Sequence, residues 1–219
     1  MARSSPIPSP CQPTVHLPEH ATRFIARLSE GPLSELTHMQ CMPIFAGAVA
    51  AVLALEAQTQ PSYQLPFPVG DSARLIQGNN GPYGHEGHAA YAFDFIMKIG
   101  SPVVAARSGI VVATEERFRD ATRKPGEENF VIVDHGDSTF ARYYHLTTDG
   151  ALVDVGDSVR AGDTIARSGD SGSSAGAHLH FDVTRECFRW GCTTIPVSFA
   201  NVRPDSLVPG RYYHARAVK

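Results

Sequence analysis

Helical periodicity is what this 219-residue chain has least of. Beyond residue 60 no long stretch repeats its apolar residues at the spacing of a helix face, which argues against a helix bundle or a doubly wound sheet. Charge of one sign is also scarce: 19 Lys and Arg stand against 22 Asp and Glu, for a net charge of −3. No basic run is interleaved with aromatics, so a nucleic-acid partner is not expected. Only four cysteines occur, Cys11, Cys41, Cys187 and Cys192, and none has the Cys-X-X-Cys spacing of a zinc knuckle or a redox pair. Cys187 and Cys192 bracket Phe-Arg-Trp-Gly, a spacing that suits a local disulfide in an oxidising compartment.

Long hydrophobic runs are absent too. The longest, Pro43 to Leu55, falls short of the ~20 residues that a membrane-spanning helix needs, so no stable span is expected. Its length suits the apolar part of a secretory signal, with small residues near a cut after Ala57. The run lies far from Met1 and lacks a basic flank, so translation is expected to start at Met39 or Met42. Residues 1–38 are then an over-extended start or a disordered segment. Thr22 to Leu36 could form one short helix.

What the chain does have is turn chemistry. Its 19 glycines and 16 prolines suit many short strands joined by tight turns. Strands are expected at Tyr91–Ile96, on both sides of Ser108-Gly109, at Phe130–Asp134 and at Phe140–Leu146, the last with His145 on the face opposite Leu146. Two Gly-Asp pairs punctuate the stretch from Val153 to Ala166. The fold class is therefore all-β and antiparallel, with a mostly irregular N-terminal extension.

Chemistry concentrates in Gly176-Ala-His-Leu-His-Phe-Asp-Val183. Read as a strand, it puts Leu179, Phe181 and Val183 on one face. His178 and His180 share the other, about 7 Å apart. In Ala92-Phe-Asp-Phe95, Asp94 likewise points away from two phenylalanines, an expensive place for a carboxylate unless that face is wet or the group is paired. Seven of the ten histidines lie after residue 80. A catalytic zinc takes three protein ligands and keeps a position for water. One of His85 and His88, with Asp94 and one of His178 and His180, could supply the three. The remaining histidine of the pair and His145 could then act as base and oxyanion stabiliser. His135, in a Gly-Asp turn, and His214 read as structural or solvated, and Glu86 as an outside candidate ligand.

These pieces occur in a familiar order: His85 with Ala92-Phe-Asp94-Phe, Gly100-Ser-Pro-Val-Val-Ala-Ala-Arg-Ser-Gly, Tyr144-His145-Leu, Val155-Gly-Asp-Ser-Val-Arg-Ala-Gly-Asp-Thr-Ile, Ser168-Gly-Asp-Ser-Gly and His178-Leu-His180-Phe. Residues from about 78 to 184 resemble the lysostaphin-type (LytM-like) zinc peptidases of cell-wall peptidoglycan. The resemblance implies a β-sandwich core of the duplicated hybrid motif kind. It implies one Zn2+ held by His85, Asp94 and His180, with His145 and His178 as catalytic residues beside a metal-activated water. Most members place the first histidine four residues before the aspartate. Here Ala90 stands there, and His85 lies nine before, as in a subgroup with a longer connection; His88 is the alternative.

The implied organisation is a signal at 39–57, a linker at 58–76, the peptidase domain at 77–186 and a C-terminal extension at 187–219. The implied partner is a peptidoglycan peptide, outside the cytoplasm, in the periplasm or beyond it. Two rival readings compete with this one. A catalytically silent relative would bind or regulate hydrolases, but such relatives typically lose ligands. A biotinyl- or lipoyl-type carrier would use Lys98 after Met97 and leave the histidines unexplained.

Overall fold

The structure is a computed structural model, and it describes residues 62–203 and 206–218. The chain divides into two units, Met1–Glu56 and Ala57–Lys219, and every described residue lies in the second. The expected signal stretch at 39–57, the short helix at 22–36 and the N-terminal extension lie outside the described residues.

Eleven strands form two sheets among the described residues. They are β1 (Ser72–Gln77), β2 (Ala92–Ile96), β3 (Pro102–Val104), β4 (Gly109–Glu115), β5 (Phe130–Asp134), β6 (Thr139–Tyr144), β7 (Leu146–Ala151), β8 (Ser158–Val159), β9 (Thr164–Ser168), β10 (His178–Arg185) and β11 (Tyr212–His214). The larger sheet runs β11-β1-β2-β10-β6-β5-β4-β8, and the smaller runs β3-β9-β7. Neighbouring strands pair antiparallel throughout. A single 3-10 turn, Gly87–Ala89, is the one helical element described. The all-β antiparallel expectation therefore holds.

Alternation in the sequence explains the layering. Phe93 and Phe95 of β2, Leu179, Phe181 and Val183 of β10, Ala141 and Tyr143 of β6, and Val131 and Val133 of β5 all point to one side of the large sheet. There they join Val103, Leu146, Ile165 and Ala166 from the small sheet in a single core. The opposite side of the same strands faces a cleft. One face is thus spent on packing and the other is left for chemistry, as an antiparallel sheet allows.

The two Gly-Asp pairs build matching turns. Gly156 and Gly162 both take left-handed backbone angles (φ +102° and +92°), which glycine adopts without a steric penalty. In each turn the following aspartate accepts a hydrogen bond from the backbone three residues earlier: Asp157 from the N–H of Asp154 at 2.9 Å and Asp163 from that of Arg160 at 2.7 Å.

The structure joins to the core two stretches that the sequence reading set outside the domain. Tyr63, Leu65 and Phe67, within the expected linker, are buried, and β1 occupies its end. From the expected C-terminal extension, Phe199, Val202, Tyr213 and Ala215 enter the same core. Tyr63 forms a bridge to Phe199, and β11 pairs with β1. The sequence hid this because the segments are short and interrupted by prolines, although Tyr63, Leu65 and Phe67 alternate at the period of a strand. The Cys187–Cys192 disulfide is present.

The buried tail carries a stability prediction. Tyr213 is 2% exposed, and its hydroxyl donates to the carbonyl of Val208. Tyr213→Ala is expected to lower the unfolding free energy by about 3–5 kcal/mol. Denaturant titration followed by circular dichroism checks this, and an unchanged midpoint would show the tail to be dispensable.

Candidate metal centre

His180 and Asp94 face each other across the β10–β2 ladder, where they are registered partners. Their side chains meet, with His180 Nδ1 lying 2.9 Å from Asp94 Oδ1. The third group arrives from the loop between β1 and β2, where His85 Nε2 lies 3.2 Å from the same oxygen. One ligand atom from each of His85, Asp94 and His180 falls within 4.8 Å of the others. His178, one step along the cleft face of β10, brings Nε2 to 3.8 Å from Asp94 Oδ1. His145 completes the group, its ring centroid 4.6 Å from that of His178 and 6.0 Å from that of His180.

The hydrogen-bond partners decide which nitrogen each ring offers. A carbonyl oxygen only accepts, so a neutral imidazole bonded to one carries its proton on that nitrogen. His85 Nδ1 donates to the carbonyl of Gly78 at 3.0 Å, His145 Nδ1 to that of Ser171 at 2.8 Å and His178 Nδ1 to that of Gly176 at 2.7 Å. Each Nε2 is thereby left as a lone pair. His180 is turned the other way: Nε2 meets Asp182 Oδ2 at 3.1 Å, which leaves Nδ1 toward Asp94. Three ring nitrogens thus converge on one carboxylate oxygen.

His85 Nε2 is buried and makes no hydrogen bond of its own. The 3.2 Å approach to Asp94 does not have hydrogen-bond geometry, and a lone pair facing a carboxylate calls for a positive charge between them. With two imidazoles and one carboxylate as donors, this set fits a zinc ion.

Electrostatics follow from crowding and burial. Burial opposes ionisation of Asp94, yet the neighbouring His180, His85 and His178 outweigh it and hold the carboxyl well below the usual carboxylate range. For His145, burial and the neighbouring His178 and His180 push the ring down to about 3, so it is neutral at any physiological pH. His180 goes the other way: burial disfavours its charge, but Asp182 and Asp94 raise it to about 9.

Further residues support the cluster. Gln77 Nε2 donates to Asp94 Oδ2 at 3.2 Å and to the carbonyl of Tyr83 at 2.7 Å, and its Oε1 accepts from the Tyr83 N–H at 2.9 Å. Gln77 therefore fastens the loop that carries His85 to the aspartate. Gly81 is required beneath it, since a Cβ there would lie 2.2 Å from Gln77 Cγ. Arg142 pairs with Asp182 through Nε to Oδ1 at 2.6 Å and Nη2 to Oδ2 at 2.8 Å. A polar residue at strand period on the cleft face was the available signal for Arg142 and Asp182, whereas Gln77 shares the parity of buried Ala73 and Leu75 and comes opposite Asp94 through a register shift between Leu75 and Gln77.

His145 departs from the expected strand. It takes φ +63°, so β6 stops at Tyr144 and β7 begins at Leu146. This left-handed residue, uncommon outside glycine, redirects the ring toward His178. His88 is exposed and lies outside the cluster, in the 3-10 turn. Glu86 precedes that turn and is exposed; His214 is exposed on β11. His135 lies elsewhere, its Nδ1 bonded to the carbonyl of Ser108 at 2.9 Å.

The cluster opens into a cleft of about 1290 Å³, above the roughly 300–1,000 Å³ of a small-molecule pocket. Tyr144 and Phe130, partners of His180 in successive ladders, continue its floor. Trp190, 78% exposed, stands at its wall from the disulfide-closed loop, with its ring 6.3 Å from Tyr144.

Part of this chain resembles known proteins. The profile of Peptidase family M23 matches residues 88–190. Peptidoglycan DD-endopeptidase ShyA of Vibrio cholerae is 37% identical over 90 residues, covering 41% of this chain and 19% of that protein. Lysostaphin of Staphylococcus simulans is 34% identical over 122 residues, 54% of this chain and 23% of that protein. The chain thus spans about a fifth to a quarter of the length of these relatives. The solved structure of lysostaphin from S. simulans aligns with 31% identity and a TM-score of 0.43, over 57% of this chain and 47% of that one. The matched segment holds Asp94, His145, His178 and His180, and the chain carries a domain of peptidase family M23.

Proposed function

We propose that this chain is a zinc-dependent endopeptidase that hydrolyses peptide bonds of bacterial peptidoglycan with an activated water as nucleophile. The observation that carries the reading is the convergence of His85, Asp94 and His180 within 4.8 Å, flanked by two further imidazoles. The endopeptidase relatives support the substrate class. A catalytically silent relative would have no use for that complete set.

His85 Nε2, Asp94 Oδ1 and His180 Nδ1 would hold the ion. Zinc bound there supplies Lewis acidity, lowering the pKa of water and polarising a carbonyl. His145, neutral because it is buried and crowded by histidines, offers a lone pair that accepts the water proton. His178 Nε2, fixed in direction by the Gly176 carbonyl, lies where it can receive a proton or steady the developing oxyanion. The open cleft admits an extended peptide, and Tyr144, Phe130 and Trp190 give it apolar surface. The substrate places the working protein in the periplasm or outside the cell, in keeping with a signal at 39–57. No helix among the described residues is long and apolar enough to cross a membrane.

Purified protein is expected to carry one zinc per chain by elemental analysis, and to lose muropeptide release on chelation and regain it with zinc. His180→Ala is expected to lose both metal and activity. Full activity after chelation would refute the scheme. His145→Ala separates chemistry from binding: zinc content should stay at the wild-type level while the turnover rate falls by about 10²–10⁴.

A further inference from the structure

Asp182 and Arg142 form a pair whose purpose packing does not explain. Both sit on the cleft face of the large sheet, as registered partners on β10 and β6, yet they are only 1% and 3% exposed. Burying two charges is costly, and such pairs are often matched or surpassed in stability by apolar residues of similar volume.

The geometry shows what the pair touches instead. Asp182 Oδ2 is shared: it accepts from Arg142 Nη2 at 2.8 Å and from His180 Nε2 at 3.1 Å. Arg142 has each of its three nitrogens engaged. Nε and Nη2 grip the carboxylate, and Nη1 donates to the carbonyl of Arg189 at 2.9 Å. Arg189 belongs to the loop closed by Cys187–Cys192. A continuous line of hydrogen bonds therefore runs from that loop through Arg142 and Asp182 to the far side of His180.

We propose that Asp182 and Arg142 are positioning residues of the metal centre, Asp182 holding the Nε2–H of His180 and Arg142 holding Asp182, so that His180 presents Nδ1 to the ion. The proposal rests on the metal-peptidase reading above. An imidazole can carry its proton on either nitrogen, and metal binding needs the other one bare. The other three histidines have their tautomer set by a backbone carbonyl. His180 alone in the cluster has a carboxylate in that role, which also makes the ring a stronger donor to the metal. Because Asp182 is the next cleft-facing residue of the same strand, its direction is as rigid as that of His180. Arginine suits the second place because its planar fork grips both carboxylate oxygens at once, which a lysine cannot do.

Zinc affinity of the full chain, measured by competition with a chromogenic chelator, tests the proposal. The proteins are wild type, Asp182→Asn and the double variant Arg142→Met/Asp182→Leu. The double variant leaves no charge unpaired and is expected to melt at or above the wild-type temperature. Both variants are expected to bind zinc about 10–100-fold more weakly. A double variant with wild-type affinity would show that the pair is structural only. A second measurement needs no substitution: long-range proton–nitrogen NMR of the zinc-loaded wild type should show His180 protonated at Nε2. A proton on Nδ1 overturns the proposal. A wild type that takes up no zinc would overturn the metal reading itself, and the relay with it.

Discussion

Everything at the cleft depends on the register between β2 and β10. Side chains alternate along both strands, so a slip of one residue would send Asp94 and His180 into the core and bring Phe93, Phe95, Leu179 and Phe181 out to solvent. Those four residues are nearly or completely buried. The hydrophobic effect thus fixes the register, and the register fixes the distance between the two central polar groups. The candidate metal centre inherits its rigidity from the opposite face of the same strands.

Rigidity alone would not make the cluster useful. Five polar side chains brought close together and mostly buried would repel or desolvate one another at a large cost. Each histidine meets that cost by giving one nitrogen to an acceptor behind it: Gly78, Ser171 and Gly176 carbonyls, and the Asp182 carboxylate. What remains on each ring is one nitrogen, and these nitrogens share a direction. Gln77 does the same for Asp94 by occupying Oδ2 and leaving Oδ1 for the histidines. The outer ring of bonds accounts for the inner geometry.

Two of the five groups do not come from strands at all. His85 stands in a turn-rich loop tied down by Gln77, and His145 occupies a left-handed break between β6 and β7. The Ser171 carbonyl that orients His145 belongs to the glycine- and serine-rich loop before β10, which is anchored in turn: Asp120 accepts from the Asp170 N–H at 2.7 Å and from Thr147 Oγ1 at 2.6 Å. This loop, which reads as flexible by composition, is ordered by hydrogen bonds across the fold.

The sequence by itself determined the architecture of strands and the polar set. The alternation in 92–96 and 178–183 requires one face for Phe and Leu and the other for Asp94, His178 and His180, because side chains on a strand have a period of two. The order of motifs added His85 and His145. What only the tertiary structure decided was everything that depends on partners distant in the chain: that His85 rather than His88 reaches Asp94, that His145 leaves its strand, that Gln77, Arg142 and Asp182 stand behind Asp94 and His180, and that residues 62–76 and 199–215 share the core. The physical reason is the same in each case. Local alternation says which way a side chain points, but its hydrogen-bond partner, its burial and its protonated nitrogen are set by whichever strand or loop the fold lays against it.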